Sequence, residues 1–410
     1  MNGTTGSPDG SGTTMHLNVE EDLVTPRGPG FPIVGVVGAG QLARMMAQPA
    51  IALGVGLRVL AGAPWESAAQ VIHDVRLGRH DDLAALTEFS RGCDVVTFDH
   101  EHVPPEYLRV LQASGVEVRP GPEALVHAQD KILMRRALAE AGVPCPRWAE
   151  VTTRAEAEEF AARVGWPIIM KTSRGGYDGK GVWRVPDADE AARLLQQVTL
   201  TPGAAWLAEE LIDFTQELAA QVARSPHGQA VAYPVVRTTQ SDGVCAEVVA
   251  PAPGLTEARA AEAARIALEI AGSLGVVGML AVELFDTGDR LLVNELAMRP
   301  HNSGHWSIEG ADTSQFENHL RAVLDLPLGS PSPRAPAAVM INILGSTHPD
   351  LYRAYLHVMA RDPGIKVHLY GKEVRPGRKV GHVTAIGEDV DALLERARHA
   401  ADFFMGVIDG

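Results

Sequence analysis

The sequence predicts an α/β protein with a Rossmann-like, doubly wound parallel sheet at its N-terminus, an α+β centre and a small C-terminal segment. Three observations predict it. Apolar strand runs alternate with helical patterns from Phe31 to the helix that opens after Pro104-Pro105, the signature of a parallel sheet. Beyond Pro144 the composition changes to short strands around a glycine-rich loop. Pro327, Pro331, Pro333 and Pro336 then mark a last boundary before about 75 residues with strands of their own.

Residues 1–30 are rich in Gly, Ser, Thr and Asp with almost no apolar periodicity, and read as a disordered tail. Order begins at Phe31-Pro-Ile-Val-Gly-Val-Val-Gly38, a buried strand that ends in the turn Gly38-Ala-Gly-Gln-Leu-Ala43. A helix to about Leu53 follows, then strands at Leu57–Leu60 and Asp94–Phe98. The helix Asp130–Ala141 stops at Gly142 with Pro144 just beyond, as helix termini require. Strands at Pro167–Lys171 and Gly181–Arg184 bracket the glycine loop, and further strands are expected at Trp206–Ile212, Glu217–Ala223 and Ala230–Val236. A long helix spans about Thr256 to Leu274, two strands flank Asp286-Thr-Gly-Asp289, and a helix starts near Ser314. The expected division is a tail 1–30, an N-terminal domain 31–128, a central domain 129–330 with a small lid at about 150–215, and a C-terminal segment 331–410.

Composition narrows the function. Lys and Arg total 36 against 51 Asp and Glu, a net charge of −15, which suits neither a nucleic-acid backbone nor an anionic membrane. Any anionic ligand must therefore be held by local cations. A hydrophobic content of 46% with 21% charged residues excludes a chain disordered throughout. Cys93, Cys145 and Cys245 are too scattered for a zinc site or a disulfide framework, and no run approaches the ~18–20 apolar residues of a membrane span. With no secretory signal at the N-terminus, the expected location is the cytoplasm.

Gly38-Ala-Gly-Gln-Leu-Ala43 fits a dinucleotide turn, but the acidic residue expected about 20 residues on is missing. The loop Lys171-Thr-Ser-Arg-Gly-Gly-Tyr-Asp-Gly-Lys-Gly181 combines four glycines with three cations. It is not a Walker A sequence; it reads as a flap whose N–H groups and cations cover phosphates. Glu283 and Glu295 each interrupt an apolar strand, where an unpaired charge is seldom tolerated. A three-residue loop, Thr287-Gly-Asp289, would put both on one face as diagonal neighbours roughly 7–8 Å apart, able to hold Mg²⁺ shared with nucleotide phosphates.

Met298-Arg-Pro-His-Asn-Ser-Gly-His-Trp306 is too poor in aliphatics for a core. Zinc on His301 and His305 lacks a third ligand, so the segment reads as a loop that positions an anion through Arg299. Asp99-His-Glu-His102 ends a parallel strand, where such sheets place their ligands. There Glu101 is expected to meet a substrate hydroxyl while the histidines face outward or cap. Lys372-Glu-Val-Arg-Pro-Gly-Arg-Lys-Val-Gly-His382 carries four cations within eight residues and suits a phosphate monoester.

Together these segments resemble the ATP-grasp superfamily of ligases, and within it the family that carboxylates 5-aminoimidazole ribonucleotide in purine biosynthesis. The resemblance runs from about Ile33 to the C-terminus. Its most specific marks are Gly175-Gly-Tyr-Asp-Gly-Lys-Gly181, Asn294-Glu295, His301-Asn-Ser-Gly-His-Trp306 and Glu373-Val-Arg-Pro-Gly-Arg-Lys-Val-Gly-His382. It implies an ATP-grasp fold, ATP and Mg²⁺ as cofactors, bicarbonate as co-substrate and a homodimer. Lys131 and Lys171 would meet the ATP phosphates, with Gly176, Tyr177, Asp178, Gly179, Lys180, Gly181 and Val182 as the flap. Glu209, Glu210, Leu211 and Ile212 would form the strand that reads the adenine edge, and Glu217 would take the ribose hydroxyls. Gln240 stands where the family often has a histidine near the nucleotide. Glu283 and Glu295 would hold Mg²⁺, with Asn294 beside them. Gln41, Leu42, Glu101, Tyr177, Asp178, Arg299, His301, Asn302, Lys372, Arg375 and Lys379 would surround the ribonucleotide and bicarbonate.

The resemblance further implies that Lys171 and the flap neutralise charge on the transferred phosphoryl group. Arg299 would orient bicarbonate, and either Asp178 or His301 would accept the amine proton. Two alternatives stand beside this reading: a formate-dependent glycinamide ribonucleotide transformylase of the same superfamily, and an NAD-dependent oxidoreductase built on the Gly38 turn.

Overall fold

The computed structural model describes residues 1, 30–176, 180–241, 243–346 and 350–408. The tail expected at 1–30 lies almost wholly outside the described residues, as do Tyr177, Asp178 and Gly179 of the flap.

The N-terminal sheet contains β1 (Ile33–Val37), β2 (Gly56–Ala61), β3 (Asp74–Leu77) and β4 (Val95–Phe98), all parallel in the order β3-β2-β1-β4. Every residue of β1 and β4 is buried, as expected for strands covered on both faces. The turn after β1 is closed from within the protein. Asp99, just past β4, accepts hydrogen bonds from the N–H groups of Gly40 and Ala43, each at 2.8 Å. This carboxylate caps the helix Gln41–Leu53, which has no cap of its own. A Cβ on residue 40 would lie 2.2 Å from Asp99 Oδ2, so only glycine lets the carboxylate in.

The lid is a four-stranded antiparallel sheet of β5 (Trp148–Val151), β6 (Ile168–Thr172), β7 (Val182–Val185) and β8 (Trp206–Glu210), in the order β5-β8-β6-β7. Its own core of Val151, Phe160, Ile168, Met170 and Trp206 is covered by helices Arg154–Val164 and Ala188–Gln197. Sequence periodicity missed both helices, although a Thr153–Glu156 capping box opens the first.

The central sheet comprises β9 (Gln216–Arg224), β10 (Ala230–Ala232), β11 (Val236–Ser241), β12 (Val244–Ala250), β13 (Gly278–Asp286), β14 (Leu291–Ala297), β15 (Ala337–Leu344), β16 (Lys366–Leu369) and β17 (Lys379–Gly387). Its path is β14-β13-β9-β11-β12-β15-β17-β16, with β10 beside β9. The strand expected at Ala230–Val236 is thus broken in two by Pro234, which has no N–H for a ladder. The C-terminal strands continue the central sheet, through β15 against β12.

Two buried contacts join the N-terminal and central sheets. Helix Gln41–Leu53 shares a core with Phe316 and Leu320 of helix Gln315–Val323 and with Tyr370. His319 of that helix accepts the N–H of Met279 at Nδ1 (3.1 Å), so its Nε2–H donates to Thr97 at the end of β4 (2.8 Å). Asp99→Ala should expose the cost of the missing cap as a loss of about 1–2 kcal/mol. A urea unfolding midpoint equal to that of the parent protein would show that the cap is not needed.

Candidate active site

A cavity of about 1110 Å³ opens between the N-terminal sheet, the lid and the central sheet. That exceeds the ~300–1,000 Å³ of a site for one small ligand and leaves room for two. It gathers most of the residues singled out in the sequence. Gln41, Leu42, Glu101, Arg299, His301, Asn302, Lys372 and Lys379 line one end. Lys131, Lys171, Gly176, Lys180, Val182, Glu217 and Gln240 line the other, with Glu209, Glu210, Leu211 and Ile212 along the hinge. Glu283, Asn294 and Glu295 sit on the cavity wall formed by the β13–β14 hairpin.

The glutamate pair forms by a different geometry from the one expected. The hairpin loop has four residues, because Asp286 pairs with Leu291. That register alone would set Glu283 opposite Asn294 and send Glu295 to the other face. The register shifts between Glu283 and Leu284, leaving Asn294 as an extra residue on β14, so that Glu295 lies directly opposite Glu283. A β-bulge therefore supplies the shared face that the loop length denies.

Charge at the site is balanced pair by pair. Lys131 Nζ donates to Glu295 Oε1 at 2.6 Å. Lys171 bonds Glu209 at 2.6 Å and Asn294 Oδ1 at 3.1 Å. Arg135, which carried no sequence signal, is wholly buried. It donates to Glu209 (2.6 Å) and to the carbonyls of Val293 (2.9 Å) and Asn294 (2.8 Å). Burial works against the ionised form of Glu209, but Arg135 and Lys171 overcome it and hold the carboxyl at about 2. Glu209 is thus committed to Arg135 and to positioning Lys171.

Glu283 is held differently. Burial, Glu295 and Glu217 push its carboxyl up to about 7, whereas Lys131 draws Glu295 below the usual range against burial. Two facing carboxylates, one ionised and one reluctant to ionise, present the hard oxygen donors that Mg²⁺ prefers. Among the described residues no group of three His, Cys, Asp or Glu side chains could hold a metal ion. The donor set thus fits an ion that takes its remaining ligands from a substrate.

At the opposite end, Arg299 Nε donates to Glu101 Oε2 at 2.8 Å. Glu101 Oε1 is buried without a donor. His301 accepts from Ser303 N–H at Nδ1 (3.4 Å) and lies 3.6 Å from Glu283 through Nε2. Burial, with Arg299 and Lys379 nearby, lowers its pKa to about 3, so the ring is neutral and carries its proton on Nε2. Asn302 lines the cavity, yet both atoms of its amide are taken by Asn342 (2.9 and 2.7 Å).

Several expectations are corrected. Arg375 does not line the cavity; it is exposed and paired with Glu373 at 2.5 Å, because the loop after β16 turns it toward solvent. Gly181 also lies off the cavity wall. Its φ of +76° and its packing on Gly176 close the neck of the flap, where a Cβ would meet Thr172 Oγ1 at 2.7 Å. His102 is exposed, whereas His100 is part-buried; the two rings stack 5.1 Å apart with His80 edge-on to His100, and burial lowers His100 to about 3.

Comparison with known proteins gives the family. Family models match residues 32–129 as a ribonucleotide synthetase preATP-grasp domain, 136–316 as an ATP-grasp domain and 338–396 as a phosphoribosylaminoimidazole carboxylase C-terminal domain. The chain is 56% identical to the N5-carboxyaminoimidazole ribonucleotide synthase of Mycobacterium tuberculosis over 374 residues, 90% of this chain and 87% of that one. The chain belongs to the N5-carboxyaminoimidazole ribonucleotide synthase family of ATP-grasp ligases. The family's solved structures share the fold. The Thermus thermophilus enzyme superposes with a TM-score of 0.82 at 37% identity, covering 92% of this chain and 99% of that one. The Aspergillus clavatus enzyme, in complex with ADP and 5-aminoimidazole ribonucleotide, gives 0.83 at 31% identity, covering 91% and 98%. The dinucleotide reading fails at its own turn, since Asp99 occupies the helix N-terminus that a pyrophosphate would need.

The raised carboxyl of Glu283 predicts a pH-dependent stability. A proton held to about 7 in the folded state, against 4.5 ordinarily, stabilises the fold below pH 4.5, and that contribution is lost as pH rises through 7. Glu283→Gln, uncharged throughout, should melt higher than the parent protein at pH 8, by about 2–4 °C for each kcal/mol of repulsion removed. The difference should shrink toward pH 5. Equal melting temperatures at pH 8 would mean that the two glutamates do not repel.

Proposed function

We propose that this ligase uses ATP and bicarbonate to carboxylate the exocyclic amine of 5-aminoimidazole ribonucleotide, giving N5-carboxyaminoimidazole ribonucleotide, ADP and phosphate. One observation carries the reading: a single cavity has paired carboxylates and lysines on its nucleotide side and Arg299, His301, Lys372 and Lys379 at its far end. The division at 31–128, 129–330 and 331–410, a cytoplasmic location and a homodimer belong to the same proposal.

Bicarbonate is a poor electrophile, so one of its oxygens first attacks the γ-phosphorus, ADP leaves and carboxyphosphate forms. The amine nitrogen then attacks the carboxyl carbon, or CO₂ released from it in the closed cavity, and inorganic phosphate departs. Mg²⁺ on Glu283 and Glu295 would supply charge neutralisation on the β- and γ-phosphates.

The chain's own groups do the rest by exchanging partners. Lys131 and Lys171 give up carboxylate contacts for phosphate oxygens, where their charge stabilises the transferred group. Glu217 is held above the usual carboxylate range by burial and meets a ribose hydroxyl, while the hinge at Glu210–Ile212 meets the adenine edge. Arg299, steadied by Glu101, orients bicarbonate, and Glu101 Oε1 takes a hydroxyl of the ribonucleotide. His301 already carries a proton on Nε2, so it serves as a donor. The amine proton passes to Asp178 of the flap, whose closure also keeps water from the intermediate.

ADP release from Mg·ATP and bicarbonate should rise strongly with 5-aminoimidazole ribonucleotide and remain flat with glycinamide ribonucleotide plus formate. The opposite pattern would assign the chain to the formate-dependent step. Glu295→Gln should lower kcat by at least ~10²-fold with the fold intact. Lys379→Met should raise the KM for the ribonucleotide about tenfold, the loss of one charge-assisted contact of roughly 1.4 kcal/mol, and leave the KM for ATP unchanged.

A further inference from the structure

From Lys372 and Gln41 at the far end of the cavity a chain of polar groups runs back into the protein, to His305 and Gln315, to which the reaction above gives no part. Lys372 Nζ donates to Gln41 Oε1 at 2.7 Å. Gln41 Nε2 lies 3.3 Å from His305 Nε2, and His305 Nδ1 lies 3.1 Å from Gln315 Nε2. Gln315 also bonds the backbone of residue 301 with both ends of its amide. Its oxygen accepts His301 N–H at 2.9 Å and its nitrogen donates to the His301 carbonyl at 2.8 Å. His305, Gln315 and Ser307, which accepts the N–H of Gln315, are all fully buried.

Hydrogen counting shows that this chain cannot be satisfied throughout. The His301 peptide fixes which way Gln315 points, so Gln315 presents an N–H to His305 Nδ1. A neutral imidazole has one N–H, and that of His305 must therefore sit on Nε2, facing Gln41. Burial keeps the ring neutral by pushing its pKa far below the usual value, and a second ring proton would only add another donor. Gln41 thus stands between two donors, Lys372 and His305 Nε2–H, with one carbonyl oxygen to offer. Whichever way its amide points, its own NH₂ meets one of them. The 3.3 Å contact is the longest in the chain, consistent with the unsatisfied end lying there while Lys372 holds the oxygen.

We propose that Gln41 is a two-position amide switch set by whichever group holds the Lys372 ammonium, with His305 and Gln315 as the positioning residues behind it. In one position its oxygen faces Lys372. When an anionic group takes Lys372, the amide turns over, its oxygen accepts His305 Nε2–H, and its NH₂ points into the cavity as a second donor to that anion. On the functional reading above, on which this step rests, the anion is the phosphate monoester of the ribonucleotide. The switch relieves a buried donor–donor contact as it adds a ligand contact, so phosphate binding and the order of the 301–306 loop become coupled through Gln315.

The test reads His305 directly by ¹⁵N-histidine NMR of the full chain, with its signals assigned by their loss in His305→Asn. Should that variant not fold, contacts to the Phe316 ring, 5.6 Å from His305, give the assignment. His305 should be the Nε2–H tautomer without ligand. In Lys372→Met, with nothing added, the amide is released, and the Nε2-bound proton should move downfield as it gains an acceptor. Adding 5-aminoimidazole ribonucleotide to the parent protein should reproduce that shift, and adding it to Gln41→Leu should not. An Nδ1–H tautomer, or no shift in Lys372→Met, would overturn the switch. A shift in Lys372→Met with none on adding the ribonucleotide would overturn its coupling to the ligand. The Lys372→Met result needs no ligand, so it stands or falls independently of whether the ribonucleotide stimulates ADP release.

Discussion

The buried guanidinium of Arg135 is the contact on which the site depends. It pairs with Glu209 on the lid strand β8 and donates to two successive carbonyls of β14, those of Val293 and Asn294. Those carbonyls flank the register shift that places Glu295 opposite Glu283. The same Glu209 holds Lys171, whose ammonium returns to Asn294. One buried cation thus stabilises the bulge, orients Lys171 and fastens the lid to the central sheet. Ion pairs this deep gain little net stability over an apolar replacement, yet breaking one side is costly. Here the pair is suited to fixing geometry.

The N-terminal sheet contributes through a similar internal substitution. In a dinucleotide-binding domain a phosphate would meet the helix after the first strand. Here Asp99 does so, and Gly40 leaves room for its carboxylate. The turn is thereby freed from nucleotide binding and instead presents Gln41 to the cavity, where it meets Lys372 from the C-terminal segment. Every part of the chain described here lends a residue to one cavity, which is possible because β15, β17 and β16 extend the central sheet.

Much of this was legible in the residues. The helix from Ser314 begins at its cap, which accepts Glu317 N–H, and Asp130 caps the helix Lys131–Glu140 in the same way. Two glutamates that interrupt apolar strands are visible in the sequence, and both line the cavity. Arg375 lies off the cavity wall, and a run of cations does not say which of them a loop turns inward. Asn302 lines the cavity, and its partner Asn342 lies 40 residues away on strand β15, a pairing that no local pattern announces.

The sequence by itself determined the alternation of strands and helices, the caps and stops, the glycine-rich composition of the loop after β6 and the identity of the charged groups, because periodicity and turn chemistry act over a few residues. The tertiary structure decided which of those groups meet. The β14 bulge, the Asp99 cap, the Arg135–Glu209–Lys171 chain and the crowded amide of Gln41 all depend on register and on partners from distant segments. Their energies come from burial and desolvation, which exist only once the elements have packed.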